Sequence, residues 1–308
     1  MDILGLGVST VDDLLRVDHF PRLNEKQKIL FSSRQCGGLT GSALVAAARL
    51  GCRCGYAITL GDGELSAFTR RELGREGIVI LGSGTSPEVE PYHSIIITEA
   101  GAGDRSILWN NDLARPPVVG EREMALAMEA GCLFVDHVYA SAIMDVVREA
   151  RRQGVAVVGD FERTTPGSPE LMDLTDHILL PLAYARQVYG EGRDAPSLVR
   201  ALASVAGRSL ACVTNGVEGA WYALGEDPER VYHQAIFPVD EVVDTTGCGD
   251  VFHGAYAAGL VAGLLPAERI RRAAAAAAFK TRKPGAQAGA PTTTELNAFM
   301  ALYESGSA

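Results

Sequence analysis

The residues with the clearest chemical potential lie late in the chain, at Asp244-Thr245-Thr246-Gly247-Cys248-Gly249-Asp250, followed by an apolar, helix-forming run to Leu264. The pattern predicts a strand end, a tight Gly-x-Gly turn and a helix start. Gly247 and Gly249 permit left-handed backbone and put no Cβ over the turn. Successive N–H groups at a helix N-terminus suit an anion. Asp250 falls inside that ring of donors. A carboxylate there is a poor partner for a phosphate but a good acceptor for a hydroxyl proton. An anion cradle holding a base is what transfer of a phosphoryl group to an alcohol needs. A plain glycine-rich helix start capped by Asp satisfies the same spacing, because Gly-x-Gly before a helix is common.

Such a turn must be held by a scaffold. Residues 3–8 read as a buried strand. Asp12 and Asp13 follow it, where an α/β protein places either ligand groups or a turn cap. Phe20-Pro21 breaks up residues 14–35, whose second half has extended character. Gly37-Gly38 opens an Ala-rich helix that stops at Gly51. Strands are expected at 56–60 and 78–81, with a charged helix over 64–74. Residues 90–112 alternate around a Gly-rich turn at 100–104, a hairpin signal. With 14–35, that hairpin would form a small sheet placed as a lid over a substrate. From 121 onward, strands at 132–136, 156–160, 177–180 and 210–214 alternate with helices. That rhythm implies a parallel sheet covered on both faces. Trp221 and residues 230–233 read as a late antiparallel pair, before helices at 249–264, 267–281 and 294–304. Asp12, Gly37-Gly38, Asp160, Thr214-Asn215-Gly216 and residues 244–250 all fall at expected strand exits, the edge where open α/β sheets bind ligands.

Composition narrows the classes. The 308 residues suffice for one large α/β domain. A net charge of −10 argues against a general nucleic-acid or anionic-membrane binder. The six cysteines and six histidines show no metal or redox spacing, and no signal-peptide pattern opens the chain, so a reduced cytoplasmic protein is expected. No apolar run reaches the length of a membrane span. Neither a Walker-A motif nor the protein-kinase motifs occur.

At this point the residues carry a resemblance. Asp244 to Asp250 resembles the D-T-x-G-A-G-D signature of the ribokinase/PfkB sugar kinase family. Residues 37–51 resemble its N-terminal signature, and Asp12, Thr214, Gly216 and residues 282–287 also fit, in order along nearly the whole chain. The resemblance implies a single ribokinase-like domain over 1–308: a three-layer α/β/α body, a mainly parallel central sheet and a β-sheet lid built from approximately 14–35 and 90–112. It also implies ATP and Mg2+, a sugar hydroxyl as acceptor, and a homodimer formed through the lid. Asp250 would be the general base, with the N–H groups of Gly247, Cys248 and Gly249 stabilising the transferring phosphoryl group. Thr214, Gly216 and Gly249 would contact the nucleotide. Asp12, Gly37, Gly38 and Ser42 would face the sugar, with Lys26 and Arg105 as further candidates on the lid. Asp244 would help hold a monovalent cation, K+ being the candidate, with backbone carbonyls near 282–291.

Four departures stand out. Ser42 replaces the family's usual Asn, and Cys248 its usual Ala. The usual Asn-x-x-Glu is replaced around 180–184 by Leu-Pro-Leu-Ala-Tyr. Glu162 replaces the Asn of a D-x-N-x-R pattern found in hexonate and fructose kinases. The small residue at 42, Lys26 and the tail over 284–291 are similar to 6-deoxy-6-sulfofructose kinases, and the hairpin resembles that of ketohexokinases. A ketose or modified ketose, such as fructose or 6-deoxy-6-sulfofructose, is therefore the expected acceptor. Against the sulfosugar, Val138 stands where an arginine is wanted. A nucleoside kinase is the rival within the class, although its candidate stacking residues, Phe20, Phe31, Tyr92 and Trp109, are dispersed. A catalytically inactive sugar-binding regulatory protein is the rival outside it. His253 and Trp109 read as packing residues.

Overall fold

The computed structural model describes residues 1–82, 88–100 and 105–304. Its elements in chain order begin with β1 (Ile3–Leu6), β2 (Thr10–Val17), β3 (Phe31–Gly37), α1 (Leu39–Arg49), β4 (Cys54–Ala57), α2 (Glu64–Arg75), β5 (Val79–Leu81), β6 (Tyr92–Glu99) and β7 (Arg105–Asn110). The middle of the chain forms α3 (Glu121–Met128), β8 (Cys132–Asp136), α4 (Ala140–Arg152), β9 (Ala156–Asp160), α5 (Ser168–Asp173), β10 (His177–Pro181), α6 (Leu182–Tyr189), α7 (Ala195–Ala203) and β11 (Leu210–Thr214). Last come β12 (Ala220–Leu224), β13 (Asp227–Gln234), α8 (Cys248–Val261), α9 (Pro266–Lys280) and α10 (Thr293–Glu304).

Nine strands make the main sheet, in the order β13-β12-β11-β10-β9-β8-β1-β4-β5. Those from β11 to β5 pair in parallel, while β12 and β13 add an antiparallel edge. The parallel strands are apolar on both faces, as burial between two helical layers requires. Alternation along β8 shows this directly: Cys132 and Phe134 join the core under α1, α8 and α9, and Leu133 and Val135 join the core under α4 and α7. Strand order reverses at β1, so the carboxyl ends of β1, β8 and β9 border the crevice where such sheets bind ligands.

A separate four-stranded sheet has the order β3-β2-β6-β7. It begins earlier than expected: β2 starts at Thr10, so Asp12 and Asp13 lie within a strand of this sheet rather than in a loop after β1. Asp12 is directly opposite Gln35 and Ser94, and Asp13 is opposite Arg34 and Ile95. The two carboxylates therefore point to opposite faces of that sheet. A second difference concerns the approach to the glycine turn. No strand precedes it; residues 235–247 are irregular. The Val243 and Asp244 N–H groups instead donate to the Thr281 carbonyl at 2.8 and 3.0 Å, tying this segment to the end of α9. The strand expected at 56–60 is shorter and earlier, over Cys54–Ala57, where β1 and β5 offer pairing partners.

Candidate active site

Gly247 is the residue before α8 and has φ 75°, a left-handed conformation that glycine adopts without penalty. A Cβ there would sit 2.7 Å from the Cα and 2.8 Å from the carbonyl oxygen of Ala286. Gly249 differs: a Cβ there meets nothing within 4 Å. The turn is thus packed from behind by the 286 backbone and open in front. The Cys248 N–H, expected among the donors, reaches the Thr245 carbonyl at 3.2 Å, while Gly249 and Asp250 lie in the first helical turn, where N–H groups lack intrahelical partners.

Asp244 anchors this turn. Its carboxylate accepts the Thr246 N–H at 2.8 Å on one oxygen and the Gly285 N–H at 2.7 Å on the other. Burial works to raise its pKa, but these bonds together with the Thr246 hydroxyl and the Lys280 charge outweigh it and hold the carboxyl below its ordinary range. The Lys280 ammonium donates to the Asp244 main-chain carbonyl at 2.9 Å.

Asp250 faces a cluster of carboxylates. Desolvation, then the charges of Asp160 and Glu162, push its pKa well above the usual range; the Ser42 hydroxyl beside it works in the opposite sense, and Asp12 adds a further raising charge. Ser42 reaches this position because α1 and α8 touch backbone to backbone, with a Cβ at Gly254 falling 2.1 Å from the Ala43 carbonyl. Asp160 ends β9, and its Oδ2 lies 2.6 Å from Nδ1 of His253, both side chains being almost wholly buried. His253 is one helical turn beyond Asp250, hence on the same face. The burial of His253 agrees with its reading as a packing residue, and its contact is with the Asp160 carboxylate.

Asp12 approaches from the four-stranded sheet. Its carboxylate accepts the Thr10 hydroxyl at 2.9 Å. Desolvation raises its pKa, with Thr10, Ser94 and His93 opposing. Gly37 makes room for it, since a Cβ there would lie 2.1 Å from Asp12 Oδ2. Gly38, at φ 86°, lies against the Val8 carbonyl and Ser9. Asp13 turns away to Arg34 and His93. Asp136, beneath the crevice, accepts the Val8 and Val138 N–H groups and the Thr40 hydroxyl at 2.7–2.8 Å. Burial nevertheless pushes its pKa up to about 6.

The other expected residues are more dispersed. Lys26 is exposed in the segment between β2 and β3, and no contact among the described residues joins it to the carboxylate cluster. The side chain of Arg105 lies outside the described residues. Thr214 ends β11, two strands from β9 and so about 10 Å along the edge. Gly216, two residues on, is open, with nothing within 4 Å of a Cβ. Where the family's Asn-x-x-Glu was expected, Tyr184 is buried with its hydroxyl 3.2 Å from that of Thr164. A cavity of about 600 Å³, unforeseen from sequence, opens beside residue 244 between Val239, Val243, Arg282, Phe299 and Tyr303. Among the described residues, no group of three or more His, Cys, Asp and Glu is placed to hold a metal ion, and no helix is long and apolar enough to cross a membrane.

Comparison with known proteins gives a consistent picture. The pattern of the pfkB family carbohydrate kinases matches residues 10–293. A ribokinase of Arabidopsis thaliana is 27% identical over 92% of this chain and 77% of its own length. The 2-dehydro-3-deoxygluconokinase of Bacillus subtilis is 24% identical, covering 87% of each chain. The structure of Arabidopsis thaliana ribokinase complexed with ribose and ATP superimposes with a TM-score of 0.85 at 20% identity, covering 97% of this chain and 98% of that one.

Proposed function

The chain belongs to the pfkB family of carbohydrate kinases, phosphotransferases acting on sugar hydroxyls, and we propose that it uses Asp250 to pass the γ-phosphoryl group of MgATP to a neutral, polyhydroxylated sugar, a ketose such as fructose first among them. The observation that carries this reading is the open start of α8, with a carboxylate of raised basicity in its first turn. Asp250 takes the proton of the acceptor hydroxyl as that oxygen bonds to phosphorus. The bond from phosphorus to the bridging oxygen breaks, and ADP leaves with the electron pair. The N–H groups at the helix start offset charge on the transferring group. Mg2+, arriving on the nucleotide, would neutralise phosphate charge. Thr214 and Gly216 suit the phosphates, and the cavity beside Val243 and Phe299 suits the base.

The carboxylates of Asp12, Asp160 and Glu162 favour a neutral sugar. They accept hydrogen bonds from hydroxyls, whereas a sulfonate or carboxylate beside them is repelled. One observation supports a nucleoside as the second reading. Tyr92 stacks on Trp109 with ring centroids 6.4 Å apart and meets Tyr139 edge-on, an aromatic group where the sequence suggested dispersal. A homodimer is supported by the apolar exposure of the lid, where Ile107, Leu108 and Trp109 lie on an edge strand. Sedimentation at micromolar concentration tests that.

Release of ADP from MgATP, measured over fructose, other ketoses, aldoses, hexonates, 6-deoxy-6-sulfofructose and nucleosides, tests the substrate. Preference for an anionic sugar overturns the neutral-sugar reading. With the best acceptor, Asp250→Asn should lower kcat about 10²–10⁴-fold; an unchanged kcat removes Asp250 as the base.

A further inference from the structure

We propose that the ammonium group of Lys280 serves as a built-in monovalent cation behind the phosphoryl cradle, so that this enzyme needs no alkali metal ion there. The inference rests on reading residues 244–250 as that cradle. It starts from a conflict between the chain and the cation site its family resemblance implies.

Lysine is almost never fully buried unless paired. Lys280, at the end of α9, is 0% exposed, and its ammonium donates to the Asp244 main-chain carbonyl at 2.9 Å. An ammonium carries the charge of an alkali ion and offers three donors to oxygens in place of coordination bonds. It arrives already attached to the helix and costs no binding equilibrium.

Several of the oxygens an alkali ion would use already accept hydrogen bonds. Such an ion requires several carbonyl or carboxylate oxygens converging in place of its hydration shell. Both Asp244 carboxylate oxygens accept main-chain N–H groups, from Thr246 and Gly285. In the 282–291 loop, the carbonyls of Gln287 and Ala290 accept one Arg49 guanidinium nitrogen at 2.9 and 2.8 Å. Arg49 is itself fixed by a two-pronged bond to Glu76 at 2.9 and 2.7 Å. Gly289 approaches the Lys280 carbonyl so closely that a Cβ would lie 2.4 Å from it, so position 289 brings no side-chain oxygen. The loop that would cage a metal ion is thus folded onto the Arg49 guanidinium, while the Lys280 ammonium takes the Asp244 carbonyl. Lys280 acts on the cradle through the Asp244 backbone and is a positioning residue.

The test compares KCl, NaCl and tetramethylammonium chloride at equal ionic strength. For the unmodified chain, kcat and KM with the best acceptor should agree within about twofold across the three salts. The melting temperature should show no saturable K+-specific rise, and Tl+, a spectroscopic stand-in for K+, should show no stoichiometric binding by thallium NMR. Saturable K+ activation of about fivefold or more, a K+-specific melting shift or bound Tl+ overturns the proposal. The last two readouts need no turnover, so they remain decisive even if the substrate screen fails. Lys280→Ala, with the ammonium's space vacated, should slow about tenfold or more in tetramethylammonium chloride and recover in K+. A folded variant that keeps its rate, or stays slow in K+, also overturns the proposal. If that variant does not fold, the salt comparison on the unmodified chain decides.

Discussion

The two glycines of the turn make a contrast that separates folding from chemistry. Replacing Gly247 with Ala forces an L side chain into φ 75°, which costs about 1–2 kcal/mol. The new methyl also lands 2.7 Å from the Cα and 2.8 Å from the carbonyl of Ala286, backbone atoms that cannot swing aside. With that displacement the total reaches about 2–4 kcal/mol, comparable to other strained sites. In a chain of 308 residues this corresponds to a melting temperature lower by about 3–6 °C. Gly249→Ala meets nothing within 4 Å and carries no left-handed penalty, so its melting temperature should stay within about 1 °C of the unmodified chain. Its methyl, however, projects into the space assigned to the phosphoryl group. Activity should fall about 10²-fold, the cost of misplacing the transferring group by about 1 Å. The assay is a thermal melt paired with ADP-release kinetics. A Gly249→Ala chain with full activity would refute the assignment of the open turn as the anion site. A Gly247→Ala chain as stable as the original would refute the packing argument.

Two predictions concern pH. The base must be ionised to work, and desolvation with neighbouring carboxylates raises its pKa, so kcat/KM should rise with pH along an acid limb lying above the usual carboxylate range. Asp160→Asn removes a like charge and should shift that limb to lower pH, whereas Ser42→Ala removes a hydroxyl that favours the carboxylate and should shift it higher; shifts of opposite sign would refute the electrostatic reading. Asp136 bears on stability. Its folded pKa of about 6 exceeds the ordinary 3.8, so its favourable contribution is complete below pH 3.8 and is lost as pH rises through 6. The difference amounts to about 3 kcal/mol. Across pH 4 to 6.5, the original chain should lose stability relative to Asp136→Asn, as read by paired melts; parallel curves would contradict this.

Element order, fold class and the glycine turn before α8 were legible in the chain because they depend on near neighbours. Apolar runs identify parallel strands, and two glycines before a helix describe a turn wherever it sits. Asp250 beside those glycines already suggested a base within an anion cradle. The small four-stranded sheet was legible as two β-rich stretches, but the strand that carries Asp12 was not placed, because its partners Gln35 and Ser94 are distant in sequence. The strand expected before the turn failed for a similar reason: Val243 and Asp244 found the Thr281 carbonyl, a partner that only the return of α9 supplies.

What surrounds Asp250 was decided by tertiary structure alone. Ser42 sits beside it because Gly254 lets α8 lie against the α1 backbone, and Asp160 meets His253 because β9 ends beneath that helix. Lys280 reads in the sequence as an ordinary basic residue at the end of an Ala-rich helix. Its contact with the Asp244 carbonyl follows from the docking of residues 243–244 on the Thr281 carbonyl at the end of α9. Periodicity and motif spacing report interactions along one element, whereas the charge, desolvation and close approach that tune a site arise between elements far apart in the chain.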